Sequence, residues 1–195
     1  MKSDIVSADE ALKILSEGNK RYVVGKFIRP HQTSVRRAEL IEGQHPFAIV
    51  LSCSDSRIPV ELVFDQGVGD IFVVRNAGNI ADDVALASIE YAAGHLHVPL
   101  AVVMGHGSCG AVTATASGGE LEGHLPAIAS AIRPAVDKAK TQQGDLVNNA
   151  ARVNAVMVAE QLRTSKPVLS ELVKSRKLTI VAAFYDIKSG KVEFI

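Results

Sequence analysis

Four stretches of the chain are apolar without alternation: residues 47–52 (FAIVLS), 71–74 (IFVV), 99–104 (PLAVVM) and 178–185 (LTIVAAFY). A strand with one face in water alternates apolar and polar residues, so these runs predict strands covered on both faces. Helix signals lie between them. Ser7-Ala-Asp-Glu10 reads as a capping box opening a helix that ends near Gly18, and Thr33 or Ser34 caps a second that closes at Gly43. Asp82 and Asp83 start a helix running to Tyr91 and stopping at Gly94. Another begins just after Gly107 and is broken by Gly118-Gly119. Helical patterns follow at 125–141 and 145–162, Pro167 begins a short one, and Ser189-Gly190 turns the chain into a last strand at 191–195.

Strands alternating with helices predict an α/β fold with a mainly parallel central sheet flanked by helices. No repeat, low-complexity tract or linker interrupts it, and 195 residues suit one domain, 1–195. Within it, residues 1–44 form a helical arm with few large apolar residues, ahead of an α/β core at 45–195. From composition, such an arm packs either on its own sheet or across a second subunit.

Bulk properties narrow the partners. Formal net charge is zero and no Lys/Arg block stands out, which argues against nucleic acid or an anionic membrane. The first residues carry acids and lack an apolar segment, so no signal peptide is expected. No apolar stretch approaches the roughly 20 residues that span a bilayer. A cytoplasmic, reducing location follows, where cysteines serve metal or catalysis more often than disulfides.

The chain has two cysteines, each at the C-terminal edge of an apolar run. Cys53 opens Cys53-Ser-Asp-Ser-Arg57, and Cys109 closes His106-Gly-Ser-Cys109. Ligands in parallel α/β sheets bind at the carboxyl ends of strands, beside a topological switch point, so the fold can bring these ends together. Two thiolates and one imidazole suit zinc and leave a fourth tetrahedral position open. His106 and Cys109, near a helix start, can share one ion, and helix amides there favour thiolate. Asp55 paired with Arg57 stays ionised, an acceptor able to orient a metal-bound water. Isolated, these residues would read as buried thiols and an ordinary loop ion pair; their proximity in sequence to one another favours the site.

Three rivals were weighed on the same residues. Gly105-His-Gly-Ser-Cys-Gly110 satisfies G-x-G-x-x-G, but follows the third strand and lacks an acidic strand end about 20 residues on. A nucleotide-binding module on this turn is the alternative function. Its glycines are otherwise expected to let backbone approach metal and substrate. A phosphatase-like Cys/Arg loop fails on spacing. A structural zinc would want four strong ligands, with only Asp55 to complete the set. His31, His45, His95, His97 and His124 lack companions arranged for metal.

Taken together, Cys53-Ser-Asp-Ser-Arg57 and His106-x-x-Cys109 make the sequence resemble the β-class carbonic anhydrases. The likeness extends through Gly18-Asn-Lys-Arg-Tyr22, Phe64-Asp-Gln-Gly67 and the run from Phe72 to Asn79, FVVRNAGN. The resemblance implies one Zn²⁺ per subunit, held by Cys53, His106 and Cys109. It also implies interconversion of carbon dioxide and bicarbonate by zinc-bound hydroxide, assisted by the Asp55–Arg57 dyad. It implies substrate contacts at Gln44 (across a dimer interface), Phe72, Tyr91 and Gly110, and a homodimer with exchanged N-terminal helices, sometimes assembled to a tetramer or beyond. On that basis the arm crosses to a partner. Some relatives hold an inhibitory bicarbonate against a Trp three residues before the first cysteine; Val50 stands there in a chain without Trp, so that regulation is not expected. The open form is expected, with water as fourth ligand. Carbon disulfide hydrolysis by some relatives is a related chemistry.

Overall fold

The computed structural model describes residues 6–195; the first five positions of the arm, and with them part of the leader reading, lie outside the described residues. Five strands make one sheet: β1 (Ala48–Cys53), β2 (Ile71–Asn76), β3 (Leu100–His106), β4 (Thr179–Tyr185) and β5 (Val192–Phe194). Their order is β2-β1-β3-β4-β5, with the first four parallel and β5 antiparallel to β4. The chain leaves β1 for β2 on one side and returns to β3 on the other. The topological switch point therefore lies between the carboxyl ends of β1 and β3.

Every residue of β1 and β3 is buried. Alternate residues feed two separate cores, which is why these runs show no apolar–polar alternation. Val50, Val102 and Met104 pack on one side, with Leu15 of α1 (Ala8–Val23), Val63 of α3 (Val60–Val63) and Ile132 of α6 (Leu125–Ala139). Ile49, Leu51 and Val103 pack on the other, with Ile89 of α4 (Asp83–Gly94), Leu162 of α7 (Leu146–Thr164) and Leu169 of α8 (Val168–Lys174). Fully burying side chains of this size contributes about 1.5–3 kcal/mol each. Two short helices complete the set, α2 (Ser34–Glu39) and α5 (Gly110–Ser117). Ser7, Thr33, Asp82 and Asp145 cap their helices through side-chain oxygens. Among the described residues no helix is long and apolar enough to cross a membrane.

The arm departs from expectation. Helix α1 runs through Gly18 to Val23, because that glycine is a contact and not a stop: a Cβ there would collide with the Phe64 carbonyl. The following Asn19, buried, donates to the carbonyls of Val63 (3.1 Å) and Gly190 (2.9 Å) and accepts from the Val192 amide (2.8 Å). Arg21 reaches Asp65 at 2.6 Å, and the Tyr22 and Tyr185 hydroxyls meet at 3.0 Å. Helix α1 is thus docked on its own chain through these contacts. Exposed apolar side chains collect in the next stretch instead: Val24, Ile28, Val35 and Ile41. Helix α2 stops at Glu39, short of Gly43, and the one-turn helix α3 carries too few residues to show a period.

Candidate metal centre

Cys53 is the last residue of β1, and His106 is the last residue of β3, the strand beside it. Cys109 is the N-cap of α5, three residues further on. Sγ of each cysteine and a ring nitrogen of His106 all lie within 4.8 Å of one another, and all three residues are buried. Tetrahedral zinc, with bonds near 2.3 Å to sulfur and 2.0–2.1 Å to nitrogen, needs donors about 3.5–4 Å apart. His106 sits on a strand end, as the sequence led one to expect. It reaches the same point because Gly107 and Ser108 turn the chain; Ser108 has φ +52°.

The donor set fits zinc on direct observation. Nδ1 of His106 donates to the Gly107 carbonyl at 2.9 Å, which fixes the tautomer and leaves a lone pair on Nε2. That Nε2 is buried and without a hydrogen-bond partner among the described residues. A buried nitrogen with no partner beside two sulfurs is what a ligand atom looks like before its ion is considered.

The thiols are unequal. The Cys109 thiol donates to Cys53 and lowers its pKa, with further help from His106 and the amides of Gly78 and Asp55, while burial works against the shift. Cys109 is pushed up, first because that bond favours its protonated form and then by burial; amides of Val112 and Ala111, at the start of α5, pull the other way. The two sulfurs share a proton and titrate as a pair. Binding a metal displaces it.

Beside them stands the ion pair. Arg57 donates from Nε to Asp55 Oδ1 (2.8 Å) and from Nη2 to Oδ2 (2.6 Å), while its own amide also reaches Oδ1 at 3.0 Å. This fork–fork geometry is a strong form of the interaction. It holds the Asp55 carboxyl well below the usual carboxylate range. Asp55 Oδ2 lies 3.9 Å from His106 Nε2.

Gly110, Asp55 and Arg57 thus cluster with the three donors, whereas Gln44, Phe72 and Tyr91 do not. Phe72 pairs with Ile49, while Cys53 pairs with Asn76. Four positions along a strand amount to about 13 Å. Phe72 packs instead on Tyr91, ring centroids 6.3 Å apart, and helps line a cleft of about 340 Å³ along the outer edge of β2. Gln44 is exposed in the segment before β1. The glycines also need correcting. A Cβ at Gly105 would lie 2.6 Å from the Ala151 carbonyl, so that residue admits α7, while a Cβ at Gly110 would meet nothing within 4 Å.

Other contacts escaped the sequence reading. Arg75 donates to the carbonyls of Cys53 (3.0 Å) and Asp55 (2.8 Å), Asn148 accepts from the Ser108 amide (3.0 Å), and the Gly78 amide points at Cys53 Sγ (3.3 Å). The available signal was amides at 148, 154 and 161 on an otherwise core-facing helix.

Comparison with known proteins agrees with this geometry. The profile of the family described as Carbonic anhydrase matches residues 48–192. A carbonic anhydrase of Mycolicibacterium smegmatis is 40% identical over 191 residues, covering 94% of this chain and 91% of the relative. Carbonic anhydrase 2 of Mycobacterium tuberculosis is 38% identical, covering 93% and 89%. A crystal structure from work on two tetrameric β-carbonic anhydrases of Sordaria macrospora superposes with a TM-score of 0.77 at 28% identity, covering 92% of this chain and 93% of the other. With two neighbouring strand ends and the adjoining helix cap supplying a Cys–His–Cys cluster, and the family profile matching residues 48–192, the chain belongs to the β-carbonic anhydrases.

Proposed function

We propose that this protein catalyses the reversible hydration of carbon dioxide to bicarbonate and a proton, with one Zn²⁺ per chain held by Cys53, His106 and Cys109. The observation carrying this reading is the convergence of three soft donors within 4.8 Å, with an Arg-clamped carboxylate 3.9 Å from the free ring nitrogen. Bound there, zinc supplies Lewis acidity that brings the pKa of water from about 15.7 toward neutrality.

The remaining steps fall to the chain. Asp55, kept ionised by Arg57, accepts a hydrogen bond from the attacking water and orients its lone pair toward carbon. Arg57 bonds both carboxylate oxygens, which holds Asp55 ionised and in place as an acceptor. The three donors are buried, which shields them from bulk water, while Arg57 stands half-exposed at the rim. Carbon dioxide, small and apolar, needs little recognition. Phe72 lies four strand positions, about 13 Å, from the level of Cys53 in its own chain, and Tyr91 packs on it. In the proposed dimer they and Gln44 therefore serve the centre of the second copy. The open edge of β2 and the exposed Val84 and Tyr91 beside it support that assembly. The whole chain acts as one domain, with the N-terminal arm, residues 1–44, contributing to the contact between the two copies.

Metal analysis with stopped-flow hydration tests the proposal. One zinc per chain and zinc-dependent hydration are expected. A metal-free protein that binds a nicotinamide cofactor would overturn it.

A further inference from the structure

Helix α7 contributes no ligand, yet its buried Asn154 is bound to the metal centre's surroundings at one remove. The route starts in the loop after β2. Gly78, at φ +80°, directs its amide at Cys53 Sγ (3.3 Å) and its carbonyl at Nδ2 of Asn154 (2.9 Å). The side chain at 78 must be hydrogen, since a Cβ would lie 2.5 Å from Ile132 Cδ1. Asn76 closes the loop from within, exchanging two 2.8 Å bonds with the backbone of Ile80. The amide belongs to the 77–78 peptide and the carbonyl to the 78–79 peptide, and the two meet at the Gly78 Cα; anchoring the carbonyl therefore restricts the rotation about this glycine that would carry the amide off the sulfur.

Asn154 is 2% exposed and polar on a core-facing helix, a placement that costs stability unless its amide is used. Gln161, two turns further along, donates to the Ala81 carbonyl at 3.0 Å in the same loop but has no such link to sulfur.

We propose that Asn154 is a positioning residue of the metal centre: by gripping the Gly78 carbonyl it keeps the Gly78 N–H on the Cys53 sulfur, tempering the charge that thiolate donates to the metal. The inference rests on the reading of Cys53, His106 and Cys109 as ligands. An N–H···S bond lowers the energy of the sulfur lone pairs, and such supporting contacts around metal ligands typically alter affinity or activity 10- to 100-fold.

Two measurements decide it. In cadmium-113-substituted wild type, the Gly78 amide proton should show scalar coupling to the metal through Cys53 Sγ. No coupling, in protein whose other ligands do show coupling to the bound cadmium, would overturn the proposal and leave the site intact. Protein that takes up no cadmium would sink the ligand reading and the proposal with it. Asn154→Leu should bind zinc about 10- to 100-fold more weakly, and its cobalt(II) form should show the sulfur-to-cobalt band at lower energy. Gln161→Leu should match wild type in both. Equal losses in the two variants would make Asn154 a general loop brace and refute its link to sulfur. The coupling measurement needs no variant, so it decides even where Asn154→Leu does not fold.

Discussion

Arg57 and Ser108 are joined by a 3.2 Å hydrogen bond from the guanidinium Nη2 to the backbone carbonyl. The same nitrogen holds Asp55 Oδ2 at 2.6 Å. One side chain thus ties the segment after Cys53 to the turn between His106 and Cys109. Arginine suits this task and lysine does not, because only a planar fork can meet a carboxylate twice and still spare a donor.

Replacing Arg57 with Lys should leave zinc in place but reduce hydration by about 100-fold, within the range for a mispositioned acid–base group. Asp55→Asn should behave alike, since an amide of the same shape is a weaker acceptor. Stopped-flow rates normalised to zinc content are the measurement. Wild-type turnover in Asp55→Asn would remove the dyad from the mechanism.

Cys53→Ser and Cys109→Ser should each lose stoichiometric zinc and, with it, hydration. A hydroxyl is a far poorer soft ligand than a thiolate. Metal content after dialysis reads the outcome, and one retained zinc per chain in either variant would exclude that residue as a ligand.

Gly18→Ala sets two effects against each other. Helix propensity favours alanine by about 1 kcal/mol, whereas forcing a methyl against the Phe64 carbonyl costs about 1–3 kcal/mol. The clash is with backbone, which cannot swing aside, so net destabilisation is expected. Denaturant unfolding should show a lower midpoint; an unchanged or higher one would mean that α1 is not docked as described.

Asp65 gives a pH-dependent test. Burial raises its pKa, but Arg21 and the amides of Ile28 and Arg29 outweigh that and leave it lowered. A lowered folded-state pKa adds stability above the unfolded value, near 3.9, and that stability is lost as pH falls through the folded value. Asp65→Asn should therefore cost about 2–3 kcal/mol at pH 7, with the gap to wild type closing below about pH 4. Unfolding midpoints across pH 3–7 would show it; a gap that stays constant with pH would contradict the assignment.

What the amino-acid order determines by itself is local and periodic. Unalternating runs at 47–52 and 99–104 announce strands covered on both sides, and Ser7, Asp82 and Asp145 mark helix starts by offering side-chain oxygens to free amides. The Cys–His–Cys cluster was equally readable, because cysteines are rare here and their companions sit within a few residues. What tertiary structure decided is everything that depends on distance across the chain. Gly18 reads as a helix stop until Phe64 is beside it, and Gly105 reads as room for metal and substrate until Ala151 is beside it. Phe72 and Cys53 are 19 positions apart in a list, and only strand register puts them a dozen ångströms from each other. Asn154, 101 residues beyond Cys53, reaches the sulfur's surroundings through a loop it never neighbours in sequence. Periodicity reports which face of an element is apolar; which atom meets which is settled only when the elements pack.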